Sequence, residues 1–150
     1  MKRLLLLTCT IVLFVTQMHA ENGTLIVRFE NLKSNDGKVM VALFDGKENF
    51  SKHEAIQTVS LSIENYSAVW NLDSLPEGKY IIIAYHDENE NQKIDLGIMG
   101  IPAEGYAFSN NTVSEMGPPN PDQMLFDVKS DETTTQVLKM VYFDFSVFQK

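Results

Sequence analysis

The segment Tyr80-Ile81-Ile82-Ile83-Ala84-Tyr85 decides the fold, because it is an apolar and aromatic run that no charged residue interrupts. It follows a turn signal at Pro76-Glu77-Gly78. A short apolar run of this kind is typical of a strand that is buried on both faces. We therefore expect a central strand here, with the core on one face and a loop or a partner on the other.

Outside this segment, apolar and polar residues alternate, which is the pattern of half-buried strands. The alternation predicts strands near residues 25–30, 38–44, 59–63, 67–72, 123–128 and 133–145. Sustained helical periodicity is missing. About seven short strands separated by turn signals predict an all-β fold, an antiparallel β-sandwich.

Two connections before the central strand carry specific signals. The turn residues Ser34-Asn35-Asp36-Gly37 predict that the first two strands form a hairpin. Between Asp45 and Ala55 the alternation lapses. We expect a loop or a short helical turn there, with Phe50 as its packing anchor.

The connection after the central strand is far longer. From His86 to Asn120, about 35 residues separate two predicted strands, whereas most connections have about 4 to 6 residues. This stretch is rich in Gly and Pro but also carries many apolar and aromatic residues, which a disordered loop seldom does. We expect one long ordered loop that folds back over the sheet carrying residues 80–85.

The first twenty residues resemble a secretory signal. Lys2 and Arg3 precede an apolar stretch, Leu4 to Val15, and a polar tail that ends at Ala20. A dozen apolar residues are too few to span a bilayer, which needs about 20. We expect residues 1–20 to be a signal peptide, and residues 21–150 to be a single secreted or periplasmic domain without a transmembrane segment.

Removal of this segment changes both the cysteine count and the charge. The single Cys9 leaves with it, so the mature fold depends on its core, which about 130 residues can supply. Of 12 Lys and Arg, two are lost, and 10 then face 20 Asp and Glu, for a net charge near −10. Such a surface repels phosphate backbones, and we expect no nucleic-acid partner.

The segment from Asp87 to Asp95 has the spacing of a calcium-binding loop. Side-chain oxygens of Asp87, Asn89, Asn91 and Asp95 fall at relative positions 1, 3, 5 and 9, with the Lys93 carbonyl at position 7. Gln92 stands where such loops carry Gly, and position 12 is Ile98 instead of Glu. If this loop binds Ca²⁺, we expect a weak affinity, about 10⁻⁴ to 10⁻³ M. The alternative is a set of nested turns in which Asp and Asn bond their own backbone.

A second candidate site lies later in the same loop. Tyr106 and Phe108 share a face of an extended segment, and Asn110 follows them. Aromatic rings beside an amide suit sugar or peptide recognition, so we assign Tyr106, Phe108 and Asn110 to ligand binding. Alternatively, the rings plug the sheet and the amides tie the loop's backbone together.

A catalytic constellation is not apparent in the sequence. Only His53 and His86 remain after signal cleavage, without a Cys nucleophile. His86 and Asp87 could pair as a base and its orienting carboxylate, but neighbouring strand residues point to opposite faces. We expect no enzyme.

Four stretches carry a resemblance to a bacterial family. Residues 72–80, 85–95, 100–111 and 117–119 are similar to the family called domain of unknown function 2141, over about residues 23–143. The resemblance implies a secreted or cell-envelope sandwich of prealbumin-like, immunoglobulin-like type, and no established activity. The family usually has Asn-Gly where this chain has Asn91-Gln92. The first stretch also resembles the Leu-Pro-x-Gly-x-Tyr turn of transthyretin-like accessory modules.

These observations give two function hypotheses. The first is a binding or structural accessory module of the cell envelope that has a calcium-stabilised loop, takes a protein or carbohydrate ligand, and is a monomer or associates weakly. The alternative is a small periplasmic hydrolase that uses carboxylates of the long loop.

Overall fold

Two β-sheets pack face to face in this computed structural model, which describes residues 22–97, 100–113 and 119–144. The predicted all-β sandwich is confirmed, with eight strands among the described residues. The predicted signal peptide, residues 1–20, lies outside the described residues, as does the end of the predicted last strand. In chain order the elements are β1 (Asn22–Glu30), β2 (Lys38–Asp45), α1 (Gly46–Lys52), β3 (Gln57–Ser62), β4 (Ala68–Pro76), β5 (Gly78–Asp87), β6 (Tyr106–Phe108), α2 (Pro121–Met124), β7 (Phe126–Val128) and β8 (Thr133–Lys139).

The central position of β5 is also confirmed. One sheet has the order β4-β1-β8, and the other has the order β3-β2-β5-β6, with β7 also paired to β5. The β2–β5 pairing runs from Lys38 opposite Asp87 to Asp45 opposite Tyr80. The main core lies between the sheets, and its fully buried side chains include Phe29, Leu43 and Leu138.

The outer face of β5 is covered by helical turns. Phe44, Ile81 and Met124 form a second, smaller apolar cluster there. The predicted helical turn is confirmed as α1, and its Phe50 ring packs edge-on against Phe44 at 5.3 Å. The side chain of Ile81 therefore packs in this smaller cluster, on the face of β5 opposite the main core. This explains why β5 is apolar on both faces.

The predicted hairpin between the first two strands is wrong. β1 and β2 belong to different sheets, and residues 31–37 cross between them. The turn signal itself is used, since Gly37 has a φ of 71° and a Cβ there would lie 2.1 Å from the Asp87 carbonyl oxygen. Alternation shows which face of a strand is buried, but it does not show which strand lies beside it. β1 and β2 would bury the same faces as a hairpin or as strands of two separate sheets.

Purely antiparallel pairing is also wrong at one position. β1 and β8 are parallel, from Thr24 opposite Thr133 to Glu30 opposite Lys139, while the other strand pairs are antiparallel. The predicted strand over 133–145 ends at Lys139. The chain then changes sheets, and Val141 exchanges two backbone hydrogen bonds with Tyr106, at 2.8 and 3.0 Å.

Part of the long connection predicted over residues 86–120 forms an additional strand, β6. β6 pairs with the edge of β5, where we expected the loop to cover the sheet instead. The strand predicted over 123–128 shortens to β7, because Pro121 begins a helical turn that the Asn120 side chain caps. None of the helices in the described ranges has the length and apolar character to cross a membrane.

Candidate functional site

The acidic loop begins on a buried carboxylate at the end of β5. Asp87 is 1% exposed, and its two side-chain oxygens accept the backbone N–H groups of Asn91 and Gln92 at 3.0 and 2.8 Å. Because these bonds reach four and five residues along the chain, Asp87 folds residues 87–92 into a compact turn.

The side chains of Asn89 and Asn91 converge on Asp95. The Asn89 amide donates to Asp95 Oδ2 at 2.6 Å, and the Asn91 amide donates to Asp95 Oδ1 at 3.1 Å. The structure thus brings together the four side chains assigned to the ion site. Lys93 is exposed, and its N–H donates to Asn91 Oδ1 at 2.8 Å.

Gln92 takes the backbone conformation that glycine normally supplies. Its φ is 62°, in the left-handed region that costs residues with a Cβ free energy. Glu90 is also left-handed, with a φ of 57°. Gln92 therefore occupies a turn position whose conformation favours glycine.

Glu104 completes this cluster, and the sequence reasoning missed it. It is 5% exposed, and its two oxygens accept the backbone N–H groups of Glu88 and Asp95, both at 3.0 Å. The neighbouring Ala103 N–H donates to the Asp95 carbonyl oxygen at 2.8 Å. Spacing along the chain does not reveal this contact; the only signal was an acidic residue beside Gly105 in a stretch resembling the family.

The cluster is strongly negative. Asp87 and Glu104 are both buried and bonded to backbone N–H groups. The ion pairs nearby are 3.5 and 3.6 Å long and join exposed lysines, Lys33 to the half-buried Glu88 and Lys38 to the exposed Glu90. Burial, together with the charges of Asp87 and Glu104, raises the pKa of Tyr85. Within the described ranges, no three His, Cys, Asp or Glu side chains are grouped so as to hold a metal.

Behind this loop, His86 is fully buried and hydrogen-bonded. Its Nε2 lies 2.8 Å from the Asp36 carbonyl oxygen, so Nε2 carries the hydrogen, and Nδ1 accepts from the Tyr142 hydroxyl at 2.8 Å. Tyr142 in turn accepts the Lys33 N–H at 3.0 Å. Burial raises the pKa of Tyr142, the bond from Lys33 lowers it, and the charge of Glu88 raises it. His53 is exposed at the end of α1.

Tyr106 and Phe108 line a shallow cavity. Their rings lie 5.7 Å apart in an edge-to-face arrangement on either side of the buried Ala107. The cavity has a volume of about 200 Å³, and its other lining residues include Val113, Lys139 and Val141. The third residue assigned to this ligand site, Asn110, does not line it.

Asn110 instead bonds neighbouring loop and strand groups. Its amide donates to the carbonyl oxygens of Gln123 and Leu125 at 3.0 and 2.8 Å, and its oxygen accepts from Gln136 at 3.2 Å. The next residue, Asn111, donates to the Val137 carbonyl and accepts the Lys139 N–H, both at 2.7 Å. Asn111 therefore provides hydrogen-bond partners for two backbone groups at the edge of β8.

Comparison with known proteins gives one match. A family model described as "Uncharacterized protein conserved in bacteria (DUF2141)" matches residues 27–136. No curated protein and no solved structure matches the chain. Since the matched range covers most of the sequence, including β5, the acidic loop and β6, the chain belongs to the DUF2141 family of bacterial proteins.

Proposed function

We propose that this protein is a secreted or cell-envelope binding or structural accessory module whose loop from Asp87 to Asp95 binds Ca²⁺. The observation that carries the proposal is the convergence of Asn89 and Asn91 on the Asp95 carboxylate, beside the buried Asp87. Calcium prefers carboxylate, amide and carbonyl oxygens, which are the groups that this loop supplies.

In this proposal, the NH₂ groups of Asn89 and Asn91 occupy the position beside Asp95 that a cation takes in such loops. Each Asp95 oxygen accepts one amide hydrogen, from Asn89 or Asn91. Rotating both amides turns their oxygens toward Asp95, at the cost of the bonds that Asn89 Oδ1 and Asn91 Oδ1 accept from the backbone N–H groups of Asn91 and Lys93. A cation then replaces the two amide hydrogens as the partner of Asp95. Asp87 and the Lys93 carbonyl complete the ligand set. With two formal charges in the set, binding is weak, at about 10⁻⁴ to 10⁻³ M.

The experiment is a thermal melt in millimolar CaCl₂, in MgCl₂ and in chelator. A ligand of the folded state raises the melting temperature by mass action. Asp95→Asn keeps the size of the side chain and should abolish the calcium shift, whereas Asp73→Asn, an exposed change in β4, should keep it. An identical melt in calcium and chelator for the wild-type chain would reject the calcium site.

A ligand site at Tyr106 and Phe108 is the second candidate function. Its support is the half-exposed aromatic pair at the cavity beside Lys139. Rings of this kind stack on sugar faces or on apolar peptide side chains. Titration with neutral oligosaccharides and with extended peptides, read by NMR, should shift the signals of these residues and not those of a Tyr106→Ala variant.

We propose no catalytic activity for this chain. In support, both oxygens of Asp87 and of Glu104 already accept backbone N–H groups, which suits a structural role better than proton transfer. The hydrolase alternative is tested by a panel of glycosidase and esterase substrates. Turnover that Asp95→Asn removes would favour the hydrolase over the accessory module.

A further inference from the structure

Most of the sheet edges in the described ranges are protected. On β8, Asn111 binds Val137 and Lys139 at the edge, and at β6 the edge is bonded to Val141. The edge strand β4 carries an exposed Asp73, ends at Pro76 and has a register shift against β1. Charges, proline, irregular register and side-chain caps are the devices that prevent strands from pairing with other chains.

β3 has none of these devices. Gln57–Ser62 has no charge and no proline, and it pairs with β2 in regular register from Lys38 opposite Ser62 to Leu43 opposite Gln57. Among the strands of residues 22–97, 100–113 and 119–144, it is the terminal strand of its sheet. Alternate backbone N–H and C=O groups of such a strand point away from the sheet, where they can bind a further strand.

Apolar side chains flank this edge. Val59 and Leu61 are only partly buried and pack at the fringe of the main core. Ile56 and Val69 are 48% and 47% exposed. Between β3 and β4 lies a groove of about 460 Å³, whose lining includes Leu61 and Val69. Exposed apolar residues collected along one open strand edge are typical of an interaction surface.

We propose that β3 pairs with β3 of a second copy of this chain, antiparallel and about a two-fold axis at Ser60. This register sets Val59 opposite Leu61 of the other copy on the inner face, twice by symmetry, so that both become more buried. Thr58 and Ser62 meet on the outer face. The symmetry is that of an isologous dimer, which closes after two copies.

Charge does not oppose a second copy along β3 itself, because none of its six residues is charged. With residues 1–20 removed, the chain carries a net charge near −10, and two copies therefore repel each other over most of their surface. Within β3 no like charges come to lie opposite each other. Pairing through one strand of six residues gives a small interface, which is typical of weak association. The proposal is independent of calcium binding.

The test is sedimentation of the secreted protein over a concentration range from about 10 µM to about 1 mM, which covers weak association. The wild-type chain should form dimers that become more abundant as salt screens the repulsion. Ser60→Lys places two ammonium groups at the axis and should abolish the dimer. Thr135→Lys, an exposed change of the same kind on the protected β8, should leave it.

A covalent version identifies the strand directly. Ser60→Cys should give a disulfide-linked dimer on mild oxidation, because residues at a two-fold axis of antiparallel strands have their Cβ atoms about 4.5 to 5.5 Å apart. A small shift of the two strands brings them to the roughly 3.5 to 4.5 Å of a disulfide. Thr135→Cys should stay monomeric. A wild-type chain that is monomeric throughout, or a dimer that Ser60→Lys leaves intact, overturns the proposal. Slow hydrogen exchange of residues 57–62 at every concentration without a dimer would assign the edge to another segment of the same chain, and would overturn it too.

Discussion

Replacing Glu104 by Gln tests whether the acidic loop depends on one buried carboxylate. Glu104 accepts two backbone N–H groups, from Glu88 and Asp95, one on each oxygen. An amide has a single oxygen, so its NH₂ group must face one of these two donors. The Gln side chain thus leaves one partly buried N–H without an acceptor while it keeps the size and shape of Glu.

The expected cost follows from that lost bond. A hydrogen bond to a charged group contributes about 1.5–3 kcal/mol, and an unsatisfied buried donor costs a similar amount. We expect Glu104→Gln to lower the free energy of unfolding by about 2–3 kcal/mol. For a domain of this size, that corresponds to a fall in melting temperature of roughly 6–12 °C.

The assay combines urea unfolding with hydrogen exchange. Exchange should accelerate most at the N–H groups of Glu88 and Asp95, and less in β1. Glu132→Gln, an exposed change that also removes one negative charge, should stay within about 0.5 kcal/mol of the wild type. If Glu104→Gln also stays within that range, the two hydrogen bonds do not hold the loop, and the reasoning about Glu104 is refuted.

Three further predictions concern single residues. Gln92→Gly should stabilise the chain by about 0.5 kcal/mol, since relief of the left-handed conformation exceeds the entropy cost of glycine; a loss of stability in urea would contradict this. Gly105→Ala should destabilise strongly, because a Cβ there lies 2.4 Å from the Tyr142 ring; a melt like that of the wild type would contradict it. The raised pKa of Tyr142 means that its contribution to stability is complete below pH 10 and is lost as the pH rises through the folded value. Tyr142→Phe should therefore be less stable at pH 7, where His86 Nδ1 loses its donor, and should lose less stability than the wild type above pH 10; parallel curves would count against it.

The sequence predicts the class of fold because the alternation of apolar and polar residues indicates which side chains are buried. Residues 80–85 identify β5 as central, and Phe50 identifies the turn that packs on its outer face. The pairing partner of β1 could not be predicted in this way. Its apolar face, formed by Leu25, Val27 and Phe29, would be buried in the same manner with either β2 or β4 as the neighbouring strand. The choice depends on the crossing at Gly37 and on the change of sheet after Lys139, and neither is encoded in a periodicity.

The acidic loop divides in the same way. Asp87, Asn89, Asn91 and Asp95 could be grouped from their spacing, because local turns obey local rules. Glu104 could not, because it reaches the loop through a contact between residues that are distant in sequence. Asn111 is a similar case, since its role exists only once β8 lies beside it.

The two proposals meet in the charge of the chain. Ser62 at the end of β3 lies opposite Lys38, which lies opposite Asp87, so the acidic loop begins two strands from the proposed dimer edge. If residues 1–20 are removed as predicted and each copy binds one Ca²⁺, its net charge moves from near −10 to near −8, and the repulsion between two copies falls by about a third. Calcium should then increase dimerisation more than MgCl₂ at equal ionic strength does. Asp95→Asn should remove this extra increase while the dimer itself persists. If calcium raises the melting temperature but leaves the dimer fraction unchanged, the ion site stands and repulsion does not limit the association.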